Sequence, residues 1–182
     1  MAFKQRRISR LRAMPAHEAW SALRGGGEEA LVATWLELYQ RTFDPERLAA
    51  ARAVAEPAAA ALGAKPVQPW LVSRGVAVAT STFPSTFGTA TVRAHLDLEP
   101  PRVTIYEGPL TTVARAFETC GSGVDAATVR DVILAHEAFH ALHPTCPGKV
   151  AEMAAHVFAG HVSGLGMFGG VVDVVHALSK GW

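Results

Sequence analysis

At 182 residues the chain has the length of one domain with room for a sizeable core. Its 49% hydrophobic and 18% charged content is that of a folded protein and excludes a disordered one. A net charge of +1 gives no overall attraction to nucleic acid or to an anionic membrane.

Residues 1–12 carry Lys4, Arg6, Arg7, Arg10 and Arg12 and no acid. No apolar run follows them, so they do not read as a secretory signal but as a basic, flexible tail with at most weak attraction to nucleic acid. The remainder, 13–182, reads as a single domain with a helical part over 13–65 and a sheet with a metal core over 66–182. Within the helical part, residues 16–23 form a short candidate closed by Gly25, Gly26 and Gly27. Residues 28–41 follow, with Leu31, Trp35, Leu38 and Tyr39 as an apolar stripe. Asp44 and Pro45 suit the cap and first position of a third helix, which Pro57 is expected to end or kink. Trp20, Trp35 and Tyr39 read as core.

From Pro69 the composition turns β-branched. Residues 70–73, 76–80, 89–96 and 102–106 are short and bounded by Gly or Pro, and predict antiparallel strands or hairpins. Residues 110–119 read as a helix, broken by Gly121 and Gly123. Asp125 then suits the N-cap of a helix that Pro144 stops. Pro147 opens another helix. The run from Met153 to Val172 holds no Lys, Arg, Asp or Glu, but its histidines and glycines argue against a membrane span. Residues 171–179 predict a last short helix. Cys120 and Cys146 flank a helix roughly 30 Å long, too far apart for a disulfide. Two free thiols suit a reducing cytoplasm.

The chemistry converges on His136-Glu137-Ala138-Phe139-His140, an H-E-x-x-H pattern. Residues four apart stack on one helix face, roughly 6 Å along the axis, so both imidazoles can meet one metal ion. Glu137 follows the first ligand and can take a proton from water as general base. The motif lies in a helix with a cap, an apolar face (Val129, Val132, Ile133) and a stop, which a chance match in a loop would lack. A catalytic zinc takes three protein ligands and keeps an open position. His143 shares the face of the first two but lies roughly 10 Å along the axis from His136. Glu152 and His156, four apart on the next helix, compete for the third place, while His161 points away from them.

H-E-x-x-H followed about a dozen residues later by E-x-x-A-x-x-F-A, here residues 152–159, resembles the small gluzincin metallopeptidases: the minigluzincins and the ImmA/IrrE-type proteins. The resemblance covers roughly residues 100 to 165. It implies Zn2+ held by His136, His140 and Glu152, Glu137 as general base, and Ala155, Phe158 and Ala159 packing the second helix on the first. The family often has Asn or Asp four after the glutamate. This chain has His156 there, which leaves His156 either as a support to a ligand or as the ligand itself. Tyr106 and His176 are candidates to stabilise the transition state.

The expected fold is therefore α+β, with N-terminal helices, a small antiparallel sheet and a gluzincin-like two-helix zinc core. The expected function is a cytoplasmic zinc-dependent peptidase acting on a peptide or protein substrate. Two alternatives stand beside it: a regulatory protein acting on a transcriptional repressor partner, and a zinc-binding domain without turnover.

Overall fold

Helices dominate the computed structural model, which describes residues 6–83, 86–87 and 90–180. The first of them, α1 (Arg6–Arg12), lies where a flexible basic tail is expected. Residues 6–12 are ordered because Ile8 and Leu11, three apart, bury one face. The Ile8 N–H also donates to Glu37 at 3.3 Å, and Arg7 donates to the Ala30 carbonyl at 3.1 Å. Residues 1–5 lie outside the described part.

Next come α2 (Ala16–Gly25) and α3 (Gly27–Leu38), separated by Gly26 alone. The α4 helix (Pro45–Leu62) starts as expected: the Asp44 carboxylate accepts from the N–H groups of Glu46 and Arg47, with Pro45 just inside. It does not stop at Pro57. A proline inside a helix costs about 3 kcal/mol, but α4 buries Leu48, Ala51, Ala55, Ala58 and Leu62, and its packing offsets that.

The α5 helix (Val67–Ser73) occupies the first expected strand. Pro66 and Pro69 fall before and within its first turn, where a missing N–H breaks no helical bond. Val67, Trp70 and Leu71 are buried at helical spacing, so tertiary burial overrides β propensity. The sheet strands are β1 (Ala77–Ser81), β4 (Ala94–Leu98) and β5 (Pro101–Tyr106), in the order β1-β5-β4. The sheet is mixed, not antiparallel: β1 runs parallel to β5, with Ala77 opposite Arg102. Only β4 runs antiparallel to β5, with Ala94 opposite Ile105. The long connection between β1 and β5, residues 82–100, carries the chain through β2, β3 and β4 and brings β5 back beside β1 in the same direction.

The expected strand over 89–96 is divided. A short β3 (Ala90–Thr91) pairs with β2 (Thr86–Phe87), and the chain bends at Val92 and Arg93 before β4 begins. Residue 89 lies outside the described residues. Val103 and Ile105 of β5 are fully buried beneath the helices.

The remaining helices are α6 (Glu107–Thr119), α7 (Ala126–Leu142), α8 (Gly148–Val162) and α9 (Val171–Ser179). The α7–α8 pair forms the centre, with Phe139 and Phe158 rings 5.7 Å apart at their seam. Behind α8 lies α4; α9 packs on α6 and α3; β4 and β5 lie against α7. The charge-free run beginning at Met153 is cut at Ser163 by the loop to α9. No helix among the described residues is long and apolar enough to cross a membrane. Cys120 and Cys146 are both free.

Candidate metal centre

The Asp125 carboxylate accepts from the Thr128 N–H at 2.7 Å and fixes the start of α7. Val129, Val132 and Ile133 are buried on the face that carries the motif histidines. That face meets α8, where Glu152 sits one turn from the start. His136 Nε2 lies 3.5 Å from one Glu152 oxygen and His140 Nε2 lies 3.4 Å from the other. The ligand atoms of His136, His140 and Glu152 lie within 4.8 Å of one another.

These separations fit a metal ion held between the three side chains. Two donors each about 2.1 Å from an ion at tetrahedral angles stand about 3.4 Å apart. The His140 Nε2 is buried and has no hydrogen-bond partner among the described residues. A buried imidazole nitrogen left unpaired costs free energy, and an ion between it and Glu152 satisfies it. The group can hold a metal ion.

The charges are coupled in the same sense. A hydrogen-bonding contact with His136 and the nearby imidazoles outweigh burial and hold Glu152 down to about 2. His136 is buried, which opposes its charge, but Glu152 and Glu137 beside it raise its pKa. His140 is lowered, by burial first and then by His136. Glu137 is raised by burial, partly offset by His136. A carboxyl so placed binds a proton more readily than a solvated one.

The site opens into a cleft of about 520 Å³, lined by His136, Glu137, Glu152 and His156 and by Trp35, Tyr39, Arg41, Arg93 and Asp173. Behind the metal group stands a polar network centred on Asp173, which is buried in α9. Its carboxylate accepts from Trp35 Nε1 at 2.9 Å and Tyr39 OH at 3.1 Å, and it pairs with Arg93. Burial opposes ionisation there, but Arg93, His156 and Trp35 hold the carboxyl down to about 2.

The chain matches no family model, no curated protein and no solved structure.

His156 lies behind the metal group. Its ring centroid is 4.4 Å from that of His136, and its Nε2 faces Asp173 across 3.7 Å. Burial holds its pKa down to about 3. Of the two candidates for the third place, it is Glu152 that converges with His136 and His140. His143 caps the end of α7 and stacks on Phe139 at 4.8 Å. His161 lines a separate depression with Arg24 and Glu28.

Neither candidate for transition-state stabilisation lines the cleft. Tyr106 ends β5 and precedes α6. His176 accepts at Nδ1 from Arg93 Nη2 at 2.9 Å, so it positions Arg93. The cleft phenol belongs to Tyr39, half-exposed and hydrogen-bonded to Asp173. Trp35 is core, as its helical spacing indicates, and also cleft wall. Sequence reading passed over Arg93, Arg41 and Asp173. For Asp173 a signal exists: an acid within Val171-Val172-Asp173-Val174-Val175 must be buried, and a buried carboxylate needs partners.

Proposed function

We propose that the protein is a zinc-dependent peptidase of the gluzincin type, similar to the minigluzincins and ImmA/IrrE-type proteins. The observation that carries this reading is the convergence of His136, His140 and Glu152 on one point of a cleft that Glu137 also lines. Two imidazoles and one carboxylate favour zinc, and a three-residue ligand set leaves a position open for chemistry. Zinc held there supplies Lewis acidity toward a substrate carbonyl and a hydrolytic water.

The chain's own residues do the rest. Glu137 takes the proton from the water and passes it to the leaving amine; its upward shift on burial suits that exchange. Asp173 holds Trp35, Tyr39 and Arg93 and so shapes the wall against which a peptide lies. The two unpaired cysteines support a reducing compartment such as the cytoplasm.

Elemental analysis should find one zinc per chain, and the protein should cleave an unstructured protein such as casein. Glu137→Gln should keep the zinc and lose cleavage by at least about 100-fold, the lower range for a general base. Protein that neither contains nor takes up zinc, or a Glu137→Gln variant as active as its parent, would overturn the reading.

A further inference from the structure

The turn after α3 brings a second guanidinium to the cleft. Gln40 has a φ of 55°, the left-handed region that side-chain-bearing residues rarely adopt. The Gln40 N–H donates to the Glu37 carbonyl at 3.1 Å, and the Arg41 N–H donates to the Leu36 carbonyl at 2.9 Å. This bond pair is the Schellman helix end, whose left-handed position usually holds glycine. The turn ends α3 at Leu38, with Tyr39 as the capping residue, and sets Arg41 on the cleft wall.

The two cleft arginines differ in what they face. Arg93 is engaged with Asp173 and His176. Arg41 is exposed and has no ion pair or side-chain hydrogen bond among the described residues. The cleft's carboxylates have other neighbours: Asp173 faces Arg93, Glu152 faces the two imidazoles, and Glu137 is held beside His136. A divalent ion between the ligands would add positive charge to the same cleft. An anionic group entering it therefore meets an unmatched cation, and a planar guanidinium can grip both oxygens of a carboxylate.

We propose that Arg41 selects substrates by a carboxylate. The group is either an Asp or Glu side chain near the scissile bond or the peptide's own C-terminus. The proposal rests on the peptidase reading and adds the substrate class.

The test uses zinc-loaded protein and hexapeptide sets that differ at one position by Glu or Gln, each made with a free or an amidated C-terminus. The wild type should favour one carboxylate in kcat/KM by roughly two- to fivefold, as expected for a pair made by an exposed guanidinium. The Glu/Gln comparison reports a side-chain source; the acid/amide comparison reports a terminal one. The preference should shrink as ionic strength rises. Arg41→Gln should bring the ratio to about one, Arg41→Lys should keep part of it, and Arg41→Glu should reverse it.

Cleavage with no preference for either carboxylate, or a preference that survives Arg41→Gln, overturns the role of Arg41 and leaves the peptidase reading standing. If no peptide is cleaved, the peptidase reading fails, and calorimetric binding of the same peptides decides the rest. Tighter binding of the carboxylate peptides that Arg41→Gln abolishes supports the proposal; equal binding, or none, overturns it.

Discussion

His136 and His140 each face Glu152, forming the group that can hold a metal ion, whereas His156 faces Asp173 behind it. Glu152→Ala removes a ligand and should abolish stoichiometric zinc binding. His156→Ala removes a neighbour of His136 and should weaken zinc by about 10- to 100-fold. Competition with a chromogenic chelator measures both, and the reverse order would make His156 the ligand. Asp173 is the second residue with a sharp expectation. Its carboxyl is held at about 2 against an ordinary 3.8. A depressed folded pKa gives stability that is present above the unfolded value and lost as pH falls through the folded one. The amount is about 2 kcal/mol. Asp173→Asn should therefore be clearly less stable than its parent at pH 7, and the gap should narrow between pH 5 and 2. Thermal denaturation across that range checks it; a gap that stays constant would mean the Arg93 pairing contributes nothing.

Among the elements, those governed by local chemistry were legible in the sequence. Asp44, Asp125 and Pro147 announce the starts of α4, α7 and α8, and the two-helix core follows from the motif spacing. Elements decided by distant packing were not legible. The α5 segment carries strand-forming residues but buries them at helical spacing, and Pro57 is tolerated because α4 lies on α8. The pairing of β1 with β5 depends on a crossover that strand composition does not encode. The site divides in the same way: His136, Glu137, His140 and Glu152 share a local pattern, whereas Arg41, Arg93 and Asp173 reach the cleft from three separate segments. The loop before α9 depends on close contact as well. Gly169 donates its N–H to the His156 carbonyl at 3.0 Å, and a Cβ there would stand 2.8 Å from that same oxygen. Backbone cannot yield as a side-chain tip can. Gly169→Ala should cost about 1–3 kcal/mol and also lower zinc affinity, because the strain falls on the turn of α8 that carries His156. Denaturant melts with and without zinc separate the two effects.

At the scale of the molecule, the residues that can hold a metal come from α7 and α8, but the wall facing them comes from the end of α3 and from α9. Trp35 of α3 and Tyr39 just past its end meet Asp173 of α9, with Arg93 joining from the approach to β4. The contact of Trp35 with His156, ring centroids 4.8 Å apart, gives the protein an optical reporter of its own site. An indole's emission responds to the charge and motion of a neighbouring imidazole, and His156 in turn lies against His136 of the candidate metal group. Adding zinc to metal-free protein should change the tryptophan fluorescence in a saturable, one-site titration. Trp35→Phe should lose that change while Trp20 and Trp70 continue to emit. A signal that persists in Trp35→Phe would place the responding indole elsewhere. If Trp35 carries it, the occupancy of the site can be followed by light alone, with neither a substrate nor a label.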